Sequence, residues 1–253
     1  MKTGEDMPKE PRQRNRDLQP KGDTLTRNLV LGMVGLVVLS GVIFTVLDKQ
    51  SAKKTDFDVA IEKVSEANNG ALLNASIDST DDYGIAFNKG TLPKIEVWED
   101  PQCPFCKDFE TEVGSYIDSL IRENKASVTY RMTSFLGTES AQAVNASFCA
   151  ADEGRFLDYH KAIYTVQGNE NSGTFSLPNL LEIGKRIGLT SEKFQSCTKE
   201  NRYAERAKAV YDSMAKYGVK GTPSLFINGT PWPQSGIQFK LDDFKAAVAA
   251  AAK

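Results

Sequence analysis

Apolar residues are distributed unevenly along the chain, and one uninterrupted run dominates the pattern. Residues 29–47 (LVLGMVGLVVLSGVIFTVL) contain no charged side chain. As a helix this run is about 28 Å long, close to the thickness of the hydrocarbon core of a bilayer. The pattern predicts a single uncleaved membrane anchor. The alternatives are a buried core helix and a cleavable signal peptide, but the run exceeds the usual signal-peptide core of about 7–15 residues and no small-x-small cleavage site follows it.

The polar flanks of this run predict its orientation. Residues 1–28 hold seven Lys/Arg, five Asp/Glu and no aromatic residue, a composition typical of a disordered tail. Six of those seven basic residues lie within 20 residues of the run, against three (Lys49, Lys53 and Lys54) in the 15 residues after it. Because basic residues concentrate on the cytoplasmic side, we expect a single-pass protein of the cell membrane with residues 48–253 outside.

The pattern after the anchor changes to short alternating segments and longer helical ones. Residues 48–84 predict a juxtamembrane linker with weak leading strands, and residues 85–253 predict one α/β domain with a helical insertion at about 137–217. Strands are predicted at Ile95–Trp98, Val128–Met132 and Ser224–Ile227, the last followed by an Asn228-Gly229 hairpin turn. Helices are predicted at about 106–124, 140–164, 178–187, 190–217 and from Leu241.

Charge and cysteine content narrow the function classes. The chain of 253 residues has 25% charged residues and a formal net charge of -2, which argues against a wholly disordered chain. Residues 48–253 carry 24 Lys/Arg against 28 Asp/Glu, so no nucleic-acid partner is expected. Four cysteines are too few for a small disulfide-stapled scaffold, and two of them form a C-x-x-C motif.

This motif, Cys103-Pro104-Phe105-Cys106, lies where a predicted strand ends and a helix begins. Backbone N–H groups at a helix N-terminus stabilise a thiolate, so we expect Cys103 to be an exposed nucleophile with a lowered pKa. Pro104 suits the first helical turn, and Cys106 is expected to be more shielded. The pair predicts a redox-active disulfide that opens when another thiolate attacks it, with no further cofactor and no metal.

Three other readings of the cysteines are weaker. A four-cysteine zinc site requires Cys149 and Cys197, which are single, 48 residues apart and in helical segments. An inert structural disulfide across so short a loop adds little stability. A Cys–His hydrolase requires His160, the one histidine, which we interpret as a packing or surface residue.

The ordered set of motifs resembles the DsbA-like thiol:disulfide oxidoreductases, a branch of the thioredoxin superfamily. Asp100 precedes the cysteines, and the segment Gly221–Gly229 (GTPSLFING) follows about 115 residues later. Between them, residues 148–160 and 188–197 are similar to the helical insertion of that branch, so the resemblance covers roughly residues 85–250. The tail and the anchor suggest its membrane-anchored bacterial members.

The resemblance implies a thioredoxin fold in which Pro223 follows a cis peptide bond opposite the cysteines. Thr222 and Pro223 then bind substrate as an extended strand, together with Pro104 and Phe105. Cys149 and Cys197 are present in some relatives and absent from others. We predict that they form a structural disulfide between two insertion helices, because an exported domain seldom keeps two free thiols.

The sequence departs from the family pattern at two positions near the cysteines. Phe105 stands where the best-studied members carry a histidine, so it cannot donate a hydrogen bond to the thiolate. Val97 stands where an acidic residue is frequent. We therefore expect Glu99 or Glu96 to relay the proton of Cys106.

Three functions compete at this stage. The first is a thiol oxidase of exported proteins that is re-oxidised by a membrane partner of the DsbB or VKOR-like type. The second is an isomerase or reductase that uses the same cysteines. The third is a membrane-tethered, chaperone-like binding module without redox turnover.

Overall fold

The computed structural model describes residues 55–64, 72–232 and 239–252. The predicted tail (1–28) and anchor (29–47) lie outside these ranges, as do residues 48–54 and 65–71 of the predicted linker. In the three described ranges, no helix combines the length and the hydropathy that a membrane span requires.

Five described strands form one mixed sheet. They are β1 (Ile85–Phe87), β2 (Lys94–Glu99), β3 (Ser127–Met132), β4 (Ser224–Ile227) and β5 (Thr230–Trp232). Their order is β1-β3-β2-β4-β5, with β2 and β3 parallel and the other neighbours antiparallel. The predicted strands and hairpin turn are confirmed, whereas the weak leading strands reduce to β1 and one bridge between Ser76 and Ala86.

The helices of the described ranges are α1 (Asp56–Ile61), α2 (Pro104–Phe109), α3 (Ser115–Arg122), α4 (Thr138–Ala151), α5 (Phe156–Val166), α6 (Leu177–Arg186), α7 (Glu192–Lys199), α8 (Ala204–Ser213) and α9 (Leu241–Ala251). One π-helical turn, Glu110–Gly114, joins α2 to α3. Helices α4 to α8 lie between β3 and β4 in sequence, which is the predicted insertion.

Two predicted long helices are wrong, because each is divided by a helix C-cap. Residue Gly154 has φ +69°, and the Arg155 N–H donates to the Ala150 carbonyl, which ends α4. Asn201 has φ +50°, and the Arg202 N–H donates to the Cys197 carbonyl, which ends α7. Glycine and asparagine adopt this left-handed conformation most readily, and the six-to-one hydrogen bond satisfies a terminal carbonyl.

Two apolar clusters hold the described fold together. The first packs the sheet against flanking helices, with Val97, Phe109, Phe148 and Phe244 among its fully buried members. The second fills the insertion, and the disulfide between Cys149 and Cys197 lies in it, joining α4 to α7. This is the predicted pairing. The disulfide therefore joins α4 and α7, the two helices that end at the C-caps of Gly154 and Asn201.

Candidate active site

The strand β2 and the helix α2 place the two cysteines as the sequence predicts. Cys103 is the N-cap of α2, and its N–H donates to the Asp100 carbonyl at 2.9 Å. Pro104 is the first helical residue, where a missing N–H costs no intrahelical hydrogen bond. Both thiols are free in this structure, which therefore represents the reduced pair.

The loop before β4 faces the cysteines from the other side. The Thr222–Pro223 peptide bond is cis, as the resemblance implied, and the Thr222 carbonyl oxygen lies 3.2 Å from the Cys103 Sγ. A second cis bond, Leu92–Pro93, precedes β2 and was not predicted.

The expectation that the Cys103 side chain is exposed is wrong. Cys103 is 4% exposed and Cys106 is fully buried, because Tyr164 of α5 and Leu136 pack against the pair.

The two thiols have opposite pKa shifts. A hydrogen bond from the Cys106 thiol is the largest cause that lowers the pKa of Cys103, which falls from 9.0 to about 6. The Thr222 side chain and the backbone N–H groups of Cys106 and Phe105 lower it further, against the opposing effect of burial. The predicted helix N-terminus thus contributes, but less than the second cysteine. Burial raises the pKa of Cys106 well above its ordinary value, and the hydrogen bond to Cys103 raises it more.

Side chains from the insertion hold the cysteine loop in place. The Asp100 carboxylate accepts hydrogen bonds from the Gln102 N–H at 2.9 Å, the Ser140 hydroxyl at 2.6 Å and the Leu136 N–H at 3.0 Å. The Gln167 amide donates to the carbonyl oxygens of Pro101 (2.7 Å) and Cys103 (3.0 Å). Gln167 was not predicted, since nothing in its local sequence pattern signals a contact 64 residues away.

The polar cluster beside the pair is composed of Glu99, His160 and Glu110. The His160 Nε2 lies 2.8 Å from the Glu99 Oε2, and its Nδ1 lies 3.7 Å from the Glu110 Oε2. We interpreted His160 as a packing or surface residue. The ring is buried, so His160 is a packing residue and not a surface residue. Burial raises the pKa of both carboxyls well above the ordinary value and lowers that of His160.

Of the two glutamates predicted as proton relays, only Glu99 lies on the side of β2 that faces this cluster. Successive side chains of a strand point to opposite faces, so Glu96 and Trp98 share the other face. There the Glu96 carboxylate accepts hydrogen bonds from the Arg131 Nε and the Trp98 Nε1, both at 3.1 Å. The prediction for Glu96 is therefore wrong.

Two groups of side chains have residue types that can bind a metal. Cys149 and Cys197 form a disulfide and cannot join a four-cysteine zinc site. Among the described residues, Glu99, Glu110 and His160 are the one group whose donor atoms all lie within 4.8 Å of one another. Within this group the His160 Nε2 and the Glu99 Oε2 already lie at hydrogen-bond distance, 2.8 Å, and we describe the group as a hydrogen-bonded cluster.

A groove of about 580 Å³ runs along the cis-proline loop beside Phe105. Its lining residues include Thr222, Pro223 and the aromatic residues Phe226, Trp232 and Phe239. Phe105 also lines the groove and is 51% exposed. The predicted binding residues Phe105, Thr222 and Pro223 thus share one groove, whereas Pro104 is not among its lining residues.

A cysteine pair at a helix N-terminus that faces a cis-proline loop across a mixed sheet is the arrangement of a thioredoxin-like protein. A family profile described as Thioredoxin matches residues 88–248. The chain therefore belongs to this family, and the prediction of a thioredoxin fold is confirmed.

Among curated proteins, the chain is 25% identical over 174 residues to an inferred protein-disulfide oxidoreductase of Rickettsia typhi, covering 66% of this chain and 60% of that one. It is 26% identical over 151 residues to another from Rickettsia bellii, of which it covers 55%. The chain thus spans less than two thirds of the length of these relatives.

Solved structures share the fold. MdbA, a thiol-disulfide oxidoreductase from Actinomyces oris, aligns with a TM-score of 0.61 and 18% identity, over 76% of this chain and 98% of that one. DsbA of Mycobacterium tuberculosis aligns with a TM-score of 0.55 and 23% identity, over 75% and 92%. These structures confirm the thioredoxin-like fold that the resemblance implied.

Proposed function

We propose that the protein is a disulfide oxidoreductase that oxidises cysteine pairs of exported proteins through Cys103 and Cys106. The observation that carries the proposal is the geometry of the site: Cys103 caps a helix N-terminus and faces the cis Thr222–Pro223 bond, with the pKa of Cys103 lowered and that of Cys106 raised. At pH 7, about one unit above the pKa of Cys103, ionisation stabilises the reduced pair by about 1.4 kcal/mol, or about 30 mV for a two-electron couple. A stabilised reduced form makes the disulfide the better oxidant.

The reaction is an exchange in two steps. A substrate thiolate attacks the Cys103 Sγ of the disulfide, the S–S bond breaks, and Cys106 leaves and takes up a proton. A second substrate thiolate then attacks the substrate sulfur of the mixed disulfide, which releases the Cys103 thiolate and the oxidised substrate. The Cys106 hydrogen bond stabilises this leaving thiolate. No further cofactor is needed, because the sulfurs of Cys103 and Cys106 take up the two electrons that the substrate thiols lose.

The groove beside Phe105 supports recognition of an extended, unfolded chain. Its apolar rings suit exposed hydrophobic side chains, and the Thr222-Pro223 backbone offers hydrogen bonds to a passing strand. Such a groove selects unfolded proteins rather than one sequence.

The protein acts at the outer face of the cell membrane, where a membrane partner re-oxidises it. The uncharged run 29–47 and the excess of Lys/Arg before it support a membrane-anchored protein with residues 48–253 outside the cytoplasm. There a membrane oxidant of the DsbB or VKOR-like type re-oxidises Cys103 and Cys106. Protease digestion of intact and of lysed spheroplasts tests the orientation, since the domain is digested in intact spheroplasts only if it is outside.

Oxidation of a dithiol peptide by the full-length protein tests the activity. We expect rapid oxidation by the wild type, none by Cys103→Ala, and mixed disulfides trapped through Cys103 in Cys106→Ala. A reduction potential close to that of thioredoxin would instead identify a reductase or isomerase. Peptide binding without mixed disulfides would identify a chaperone-like module.

A further inference from the structure

The amide of Gln167 binds the main chain on both sides of Gln102. Gln167 is the C-cap residue of α5 and is buried. Its Nε2 donates to the Pro101 carbonyl at 2.7 Å and to the Cys103 carbonyl at 3.0 Å. Because an amide nitrogen carries two hydrogens, one side chain can bind both oxygens at once. Gln167 therefore restrains the loop between these two carbonyls.

The cysteine helix holds Gln167 in turn. Lys107 follows Cys106 in α2, and its Nζ donates to the Gln167 carbonyl at 2.7 Å. Carbonyl groups at the end of a helix have no partner within that helix, so the Lys107 ammonium satisfies one of them. The end of α5 and the start of α2 are thus joined in both directions, and the Gln167 amide is fixed beside the cysteines.

The main chain of Cys103 is restrained at both of its ends. The Cys103 N–H donates to the Asp100 carbonyl at 2.9 Å, and the Cys103 carbonyl accepts from Gln167. The two hydrogen bonds restrain the dihedral angles of Cys103, φ -71° and ψ 119°. Once the backbone is fixed, the sulfur has only the χ1 rotation left, with three staggered positions. Gln167 therefore restrains the Cys103 Sγ through the main chain.

Three donors meet at the Cys103 carbonyl. Besides the Gln167 amide, the N–H groups of Cys106 and Lys107 approach it at 3.1 and 3.3 Å. A carbonyl oxygen has two lone pairs, so three donors have to share them. The Cys106 N–H is also one of the backbone groups that lower the pKa of Cys103. Because Gln167 occupies the carbonyl, the Cys106 N–H is more available to the sulfur.

The remaining groups that face Cys103 come from α2, the cis-proline loop, β2 and α5. They are the Cys106 thiol, the Thr222 side chain, the Glu99 carboxyl and the Tyr164 ring. The Gln167 amide bonds to main-chain oxygens instead. Replacing Gln167 therefore leaves these four groups in the protein, and a change in the pKa of Cys103 reports on the main chain.

We propose that Gln167 is a positioning residue of the exchange reaction, which holds the Cys103 sulfur against the N-terminus of α2 and thereby makes the protein a stronger oxidant. The inference rests on the proposed function and deepens it. Phe105, between the two cysteines, has no side-chain donor, so the insertion provides through Gln167 a support that the motif itself lacks. Gln167 takes up no electron and no proton in the reaction.

Gln167→Met tests this role, because it keeps an unbranched side chain of similar length and removes both donors. In the reduced full-length protein, the pKa of Cys103 should rise by about half a unit to one unit. Since the thiolate is the reactive form, alkylation of Cys103 by iodoacetamide at pH 5 should be about three- to tenfold slower than in the wild type. Mass spectrometry of the Cys103 peptide measures the rate. An unchanged rate at pH 5 overturns the proposal.

Gln167→Glu separates a lost donor from a damaged fold. The protonated carboxyl has an O–H that can donate to one of the two carbonyls, whereas the ionised carboxylate has none. Alkylation of Cys103 should therefore lie close to the wild-type rate at pH 5 and fall below it as the carboxyl ionises. Equal slowing of Gln167→Met and Gln167→Glu at pH 5 would make the effect structural and overturn the proposal. If Gln167→Met does not fold, a wild-type rate for Gln167→Glu at every pH does the same.

Gln195→Glu is the matched control. The Gln195 amide also donates to a main-chain oxygen, that of Thr190 at 3.0 Å, but it belongs to α7. This variant should react like the wild type at each pH.

The equilibrium with glutathione at pH 7 measures the oxidising strength. In Gln167→Met it should shift about three- to fivefold towards the Cys103–Cys106 disulfide, because the reduced form loses part of its stabilisation. An equilibrium equal to that of the wild type refutes the proposal. A wild type that does not oxidise a dithiol peptide, while Gln167→Met still shows the slower alkylation, refutes the proposed function alone.

Discussion

The Thr222 carbonyl oxygen lies 3.2 Å from the Cys103 Sγ, although 119 residues separate the two in the chain. This contact places the cis-proline loop over the reactive sulfur, and the Thr222 hydroxyl is buried beside it without a nitrogen or oxygen partner among the described residues. A thiolate at Cys103 is therefore an acceptor available to that hydroxyl. The same residue thus limits access to the sulfur and stabilises its ionised form.

The effect of the Thr222 hydroxyl on the pKa of Cys103 should be measurable by titration of that thiol. Replacing it in Thr222→Val keeps the shape of the side chain and removes the donor, so the pKa of Cys103 should rise by about one unit. Thr222→Ser retains the donor and should titrate near the wild type. Iodoacetamide reaction rates as a function of pH provide the pKa, and equal values for the two variants would refute this role.

The Cys106 thiol should have a larger effect than the helix N-terminus. In Cys106→Ala the largest cause of the lowered pKa is lost, and we expect the pKa of Cys103 to rise from about 6 by about one to two units. Cys106→Ser supplies a hydroxyl donor and should restore part of the shift. The thiolate absorbance near 240 nm follows the titration. A pKa that stays at about 6 in Cys106→Ala would assign the shift to the backbone instead.

Ionisation of Cys103 also links stability to pH. Its pKa is lower in the folded, reduced protein (about 6) than the ordinary value of 9.0, so the thiolate stabilises the reduced fold above pH 6 and increasingly up to pH 9. The contribution is lost as the pH falls through 6. The difference in unfolding free energy between reduced wild type and reduced Cys103→Ser should therefore be about 1.4 kcal/mol larger at pH 7 than at pH 5. Urea unfolding at the two pH values measures it, and a pH-independent difference contradicts the shift.

The disulfide of the insertion should contribute to stability rather than to exchange. Replacing both Cys149 and Cys197 by alanine opens a loop of 48 residues and should lower the unfolding free energy by about 2–4 kcal/mol. The rate of dithiol peptide oxidation should stay near that of the wild type. Replacing Cys103 and Cys106 instead should abolish peptide oxidation and leave the disulfide of the insertion intact. A large loss of activity in the first variant would assign a redox role to this pair.

Phe105 should matter for substrate binding more than for the redox chemistry. It is half-exposed and lines the groove, so Phe105→Ala should raise the KM for a hydrophobic dithiol peptide by about tenfold while the pKa of Cys103 changes little. Phe135→Ala removes another half-exposed phenylalanine that does not line this groove and serves as the control. Equal KM values for the two variants would exclude the groove as the binding site.

Several elements could be predicted because they depend on neighbours in the chain. The Asn228-Gly229 turn, the strand before it and Pro104 at the start of α2 follow from local conformational preference. The two breaks in the insertion could also have been predicted from Gly154 and Asn201, whose residue types favour a left-handed helix cap. Strand alternation alone would have separated Glu96 from Glu99, since odd and even positions of β2 point to opposite faces.

The sequence by itself determined that a cysteine pair follows a strand and begins a helix, because three or four adjacent residues are enough for that arrangement. The tertiary structure decided which groups control the two sulfurs. Glu99 and His160 are 61 residues apart, and Thr222 reaches Cys103 over 119 residues, so no local pattern links them. Burial then sets the protonation of Cys106, Glu99 and His160, because the cost of a charge depends on the surroundings that the complete fold provides.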